Sequence, residues 1–146
     1  MYNETKIIHA LILGDREGEI ARTWHQAEAV NVVEYLEVVA NGEEALQYLY
    51  KQGKFTDVTT PDIIILDDDM PQKNGAEVLK KIKSDASLSH IPVVLLAASE
   101  DVDDVVACYR HHANCYITKP AERAGLKEII EKLKFFWLDI AQLPRR

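Results

Sequence analysis

Pro61 to Gly75 reads PDIIILDDDMPQKNG, and the rest of the chain is organised around it. Four aliphatic residues, Ile63 to Leu66, run directly into three acids, Asp67, Asp68 and Asp69. An apolar run this short, rich in β-branched side chains and bounded by a proline and a turn, predicts a buried strand of a parallel sheet. Three carboxylates at its exit raise one another's cost of ionisation unless a cation relieves them. A hard divalent ion such as Mg²⁺ takes oxygen ligands of this kind, with few protein carboxylates and several waters. The competing reading is a plain solvated acidic loop, since charge runs are usually exposed.

Working outward, the chain alternates strand and helix. Lys6 to Leu13 predicts a first strand that stops at Gly14-Asp15, and Arg16 to Val30 an amphipathic helix on Ile20, Ala21, Trp24 and Ala27. Tyr35 to Val39 predicts a second strand. Asn41 and Glu44 then form a capping box for a helix that turns Ala45, Leu46, Tyr48 and Leu49 inward and ends at Gly53. Beyond the central stretch, Gly75 to Ser84 predicts a helix on Val78, Leu79 and Ile82, and Ile91 to Leu96 a fourth strand with Pro92 near its start. Asp101 to His112 predicts a helix built on Val102, Val105, Val106 and Tyr109, and Cys115 to Thr118 a short fifth strand. The last helix runs from Ala121 on Leu126, Ile129, Ile130, Leu133, Trp137 and Ile140 until Leu143-Pro144.

The chain has 146 residues, 47% apolar and 28% charged, which suits one globular domain with its own core. A net charge of −7, from 24 acids against 17 bases, disfavours direct contact with nucleic acid. No apolar run approaches the ~20 residues that span a bilayer, and MYNETKIIHA lacks the layout of a signal peptide. Two cysteines are too few for a disulfide framework. A cytoplasmic protein with no membrane partner is the expectation.

Five alternations call for an α/β fold: a doubly wound, five-stranded parallel sheet with helices on both faces. Right-handed crossovers leave every strand's C-terminal end on one edge, where such sheets carry their sites. Those ends carry Gly14-Asp15, Asp67 to Asp69, Ala97-Ala98-Ser99 and Lys119. Two separate acidic ends and a lysine thus converge, which a solvated loop does not explain.

At these residues the chain resembles the CheY-like receiver domain of bacterial response regulators over nearly its whole length. The acidic end of the first strand, ILDDDMP with Gly75 four residues after its proline, and Lys119-Pro120 carry the resemblance. NCYITKP through FFWLDIAQLP is similar to the stand-alone receivers that serve bacterial phytochromes. The resemblance implies the flavodoxin-like strand order 2-1-3-4-5 and one receiver domain over residues 1–146, with no output domain. It implies a two-component phosphorelay role. Asp67 takes a phosphoryl group from a sensor histidine kinase, of phytochrome type, and the signal leaves by protein contacts. Mg²⁺ is the implied cofactor, with Asp15, Asp67 and the backbone carbonyl of Asp69 as its ligands. Lys119 pairs with the phosphoryl oxygens, while Tyr116 and position 97 form the switch. The protein is then not an enzyme, but a phosphoacceptor that supports its own Mg²⁺-dependent phosphorylation and dephosphorylation.

Two departures stand out. Gly14 occupies the place of a second acid, which predicts weaker metal binding. Ala97 occupies the place of a Ser or Thr whose hydroxyl binds the phosphoryl group, which predicts a smaller loop response. They also raise the alternative of a degenerate receiver that works as a phosphorylation-independent interaction module. Phe135 to Leu138, four consecutive large hydrophobes, predict homodimerisation through the fourth helix, fifth strand and last helix. Cys108, His111, His112 and Cys115 have zinc-like spacing, though both cysteines read more simply as small buried hydrophobes. Asp67-Asp68-Asp69 also opens like the motif of haloacid-dehalogenase-like phosphatases. Pro71 and the motif's place on a third strand argue against that class. An FMN module of flavodoxin type would need a phosphate cradle where GDREGE stands, which is too acidic.

Overall fold

The computed structural model describes residues 6–15, 18–29, 32–67 and 75–144. Ile63–Asp67 (β3) and Val93–Ala97 (β4) are buried at every position, as strands covered on both faces must be. With Lys6–Leu13 (β1), Val32–Val39 (β2) and Cys115–Thr118 (β5) they form one sheet in the expected order β2-β1-β3-β4-β5. Every pairing is parallel. Glu19–Gln26 (α1) and Arg123–Lys134 (α5) cover one face, packing Trp24, Ile130 and Leu133 on Ile8, Ile12 and Ile65. Gly42–Leu49 (α2), Gly75–Ser84 (α3) and Val102–Arg110 (α4) cover the other. Among the described residues no helix is long and apolar enough to cross a membrane.

Several elements differ from their sequence-based bounds for reasons the chain supplies elsewhere. β4 starts at Val93 because Pro92 has no N–H to give the ladder; its carbonyl still accepts from Ile64. β2 is longer than expected, paired with β1 over all eight of its residues. α1 is shorter, with extended backbone at Gly18 and Ala27. The ammonium of Lys134 takes the carbonyls of Trp24 and Ala27 at its end, 2.8 Å from each. The Asn41 cap forms, its side chain accepting from Glu44 N at 2.8 Å, while Glu44 reaches back to Ala40 N at 3.3 Å. α2 nevertheless stops before Gly53. Lys51, at φ 55°, closes it, and Gln52 N donates to the Gln47 carbonyl.

Two apolar assignments are corrected. On α4 the expected inward residues Val102 and Tyr109 are 72% and 48% exposed, and Val106 also faces out, whereas Cys108 is buried. Four apolar positions at helical spacing make a stripe, but spacing alone does not say whether the stripe faces the sheet. On the last helix, Phe135–Ile140 is a π-helical turn. Such a turn inserts one residue into the helical ladder, so the buried stripe steps from Leu133 to Leu138 and Ile140 turns outward.

Candidate functional site

With all strands parallel and β1 flanked by β2 and β3, the strand order reverses beside the C-terminal ends of β1 and β3. A cavity of about 220 Å³ lies there, and its lining includes Gly14, Asp15, Gly18, Asp67 and Lys119. Three stretches far apart in sequence therefore share one small space. Asp67 is the last residue of β3 and only 6% exposed. Lys119 N donates to the Ala97 carbonyl at 2.7 Å, extending the β4–β5 ladder by one residue and aiming the lysine across the sheet edge. Its ammonium donates to Asp67 Oδ1 at 2.8 Å. A partly buried ion pair of this kind orients the carboxylate and offsets the desolvation of its charge.

Asp15 follows β1 directly and is exposed at the mouth of the cavity. Gly14 N donates to the Val39 carbonyl at 2.9 Å, carrying the ladder one residue past β1 and setting where Asp15 leaves the sheet. Asp15 and Asp67 are hard oxygen donors on one cavity, and Mg²⁺ is usually held by one or two carboxylates and water. The donor set fits such an ion. Among the described residues no cluster of three or more His, Cys, Asp or Glu forms. Asp69, the expected third contributor, lies outside the described residues, as does Asp68.

The positions expected to form the switch come together on the other side of β4. Ala97 ends the strand, 3% exposed, opposite Thr118 of β5. Tyr116 lies two residues earlier on β5, and its hydroxyl donates to the Ser99 carbonyl at 2.8 Å. The Thr118 hydroxyl reaches the same carbonyl at 3.4 Å. Ser99 Oγ donates to Asp104 at 2.6 Å and accepts from Asp101 N at 3.1 Å. Ser99 therefore braces the first turn of α4 and does not stand in for the hydroxyl missing at position 97. Ala97 lines a cavity of about 210 Å³ together with Leu79, Leu95, Cys108 and Tyr116, among others.

The zinc-like spacing does not become a site. Cys108 packs into the core under α2 and α3, and Cys115 into the core under α1 and α5, so the sheet separates the two cysteines, which form no disulfide. Burial pushes the Cys115 thiol above its usual pKa, which holds it protonated and unreactive.

Sequence reasoning named Asp15, Asp67, Lys119, Ala97 and Tyr116, placed Ser99 at a strand end without foreseeing that it braces α4, and did not single out Gly18. Gly18 N donates to the Asp15 carbonyl at 2.9 Å. Asp at the first and Gly at the fourth position of a turn is a recognisable signal, present in Asp15-Arg16-Glu17-Gly18.

Comparison with known proteins agrees with this geometry. Residues 16–131 match the response regulator receiver domain family. The chain is 33% identical over 142 residues to response regulator Rcp1 of Synechocystis sp., covering 97% of this chain and 95% of that one. It is similar to the crystal structure of the phosphorylated cyanobacterial phytochrome response regulator RcpA. The TM-score is 0.84 at 36% identity, over 94% of this chain and 99% of the other. The Mn²⁺-bound form of Rcp1 superposes with a TM-score of 0.85 at 31% identity, over 94% of this chain and 99% of the other.

Proposed function

This chain belongs to the response regulator receiver domain family, and from that premise we propose that Asp67 is its phosphoacceptor. The observation that carries the assignment is the 2.8 Å contact between Lys119 Nζ and Asp67 Oδ1, in a cavity that Asp15 also lines. An oxygen of the Asp67 carboxylate attacks the phosphorus of a kinase phosphohistidine in line. A P–O bond forms as the P–N bond breaks, and the electron pair of that bond leaves with the imidazole. The Lys119 ammonium is already beside the carboxylate and compensates charge on the incoming phosphoryl oxygens. Asp15 and Asp67, with the Asp69 carbonyl, would hold Mg²⁺, which supplies the remaining positive charge at those oxygens. The same groups serve the hydrolysis that returns Asp67 to its carboxylate, so the protein supports its own phosphorylation and dephosphorylation without being an enzyme for a separate substrate.

A phytochrome-type sensor histidine kinase is the donor in this reading, supported by the likeness to Rcp1 and to RcpA, a phytochrome response regulator. The signal passes by protein contact, with a homodimer as one partner state and a cytoplasmic setting, in keeping with two cysteines that form no disulfide. The phosphorylation-independent module is the weaker reading, because the partly buried Asp67–Lys119 pair is present. Incubation with acetyl phosphate and Mg²⁺ tests the assignment. The natural chain acquires one acid- and base-labile phosphoryl group, Asp67→Asn acquires none, and Asp68→Asn labels normally. Loss of labelling in Asp68→Asn instead moves the acceptor by one residue and overturns the proposal.

A further inference from the structure

We infer that Gly18 is a positioning residue for the metal ligand Asp15, an inference that rests on the metal site proposed above. Gly18 does two jobs at once. Its N–H donates to the Asp15 carbonyl, closing a turn, and its own carbonyl accepts from Arg22 N at 3.1 Å as the N-cap of α1. The two residues approach so closely that a Cβ on residue 18 would lie 2.8 Å from Asp15 Cβ, 3.0 Å from the Asp15 carbonyl oxygen and 3.5 Å from Asp15 Cγ. The atoms in the way are backbone and the root of the side chain, so no rotamer change relieves the collision. Carbon atoms settle at about 3.5–4.0 Å, so any side chain at 18 displaces Asp15 by something near an ångström. A binding constellation tolerates about 0.5 Å.

The backbone of Gly18 is at φ −75° and ψ 166°, an ordinary extended conformation. A larger residue is therefore excluded by the proximity of Asp15 and not by backbone strain. That separates positioning from capping. As an N-cap, serine ranks above glycine and alanine well below it. Gly18→Ser improves the cap and keeps the offending Cβ, whereas Gly18→Ala worsens the cap and keeps the same Cβ. A capping role predicts opposite behaviour of the two variants, and a positioning role predicts the same behaviour.

The experiment is a titration with Mn²⁺ followed by electron paramagnetic resonance, repeated with Mg²⁺ as competitor, on the natural chain, Gly18→Ser, Gly18→Ala and Asp15→Asn. Thermal unfolding in chelator is measured alongside. Displacing a ligand through its support typically weakens metal affinity by about ten- to hundredfold, and both Gly18 variants are expected to fall in that range. Gly18→Ser does so while losing less thermal stability than Gly18→Ala, because its cap is the better one. At saturating Mg²⁺ the acetyl phosphate labelling of both Gly18 variants recovers, while that of Asp15→Asn stays low. Natural-chain affinity in either Gly18 variant overturns the inference. If the natural chain binds no divalent ion, or Asp15→Asn binds as well as the natural chain, the metal site itself is misassigned and the inference falls with it.

Discussion

The hydroxyl of Tyr116 donates to the backbone carbonyl of Ser99 at 2.8 Å, tying β5 to the loop between β4 and α4. Ser99 in turn holds Asp101 and Asp104, so the loop is braced from both sides before any phosphoryl group arrives. A hydroxyl at position 97 would make one further bond to a charged phosphoryl group, of a class worth about 1.5–3 kcal/mol. Ala97 cannot make it. That bond would exist only in the phosphorylated state, so its absence subtracts from the bias phosphorylation can exert on the loop. Beryllofluoride, a phosphoryl mimic, is expected to shift the resonances of Tyr116 and of residues 97–101 less in the natural chain than in Ala97→Thr. A full response in the natural chain, with nothing added by the substitution, rules out a weakened switch.

Gly14 leaves room for a Cβ. A Cβ there would meet Ile12 Cγ2 at 3.5 Å and Asp67 Cβ at 3.8 Å, both ordinary contacts. Gly14→Asp is therefore expected to fold and to bind Mg²⁺ more tightly, since ligand charge contributes to holding a hard cation. Without metal the added charge faces Asp67 and Asp15, so the variant is less stable than the natural chain in chelator and gains more from Mg²⁺. Calorimetric titration and thermal unfolding with and without Mg²⁺ read both effects. Unchanged affinity sinks the idea that the missing acid limits metal binding.

The alternation of elements and the convergence of Asp15, Asp67 and Lys119 were legible because each depends on local pattern plus the handedness of crossovers, whereas the sheet order was implied only by the family resemblance. What was not legible depends on partners distant in sequence. The end of α1 is set by Lys134, 107 residues beyond Ala27. The outward face of α4 looked like a core stripe because apolar spacing is the same whether a helix buries that stripe or displays it. Gly18 escaped notice because its importance lies in a clearance to Asp15, which spacing does not reveal. The Ser99 brace joins a hydroxyl to a backbone carbonyl, and the carbonyl is a group every residue has.

The displayed apolar residues make a prediction of their own. Phe135 and Phe136 are each 50% exposed and Ile140 56%, with Val102, Val106 and Tyr109 exposed on α4. Exposed aromatic groups in this number mark an interface, and a second copy of the chain is the expected occupant. Sedimentation at a concentration on the order of tens of micromolar, suited to a modest interface, is expected to show a dimer. Phe136→Glu shifts it towards monomer without lowering acetyl phosphate labelling, because Asp67 lies in a separate cavity. A natural chain that stays monomeric at that concentration refutes the interface.

Lys134 closes the far end of α1 from the end that carries Gly18. It is 4% exposed, and its ammonium lies 3.1 Å from Glu34 Oε1 as well as on the carbonyls of Trp24 and Ala27. Glu34 Oε2 accepts from Trp24 Nε1 at 2.6 Å, and the ammonium sits 5.7 Å from the centre of the Trp24 ring. Removing one partner of a buried ion pair typically costs about 3–5 kcal/mol, because the other charge is left uncompensated. Lys134→Met is expected to lose stability in that range. Pairing it with Glu34→Gln, which keeps an acceptor for Trp24 but removes the stranded charge, is expected to restore a large part. What remains lost is the capping of the α1 carbonyls. Urea unfolding of the natural chain, both single variants and the double variant gives the coupling directly. A loss below about 1 kcal/mol in Lys134→Met, at the level of an exposed pair, would mean that Glu34 finds water or another cation and that α1 closes without Lys134.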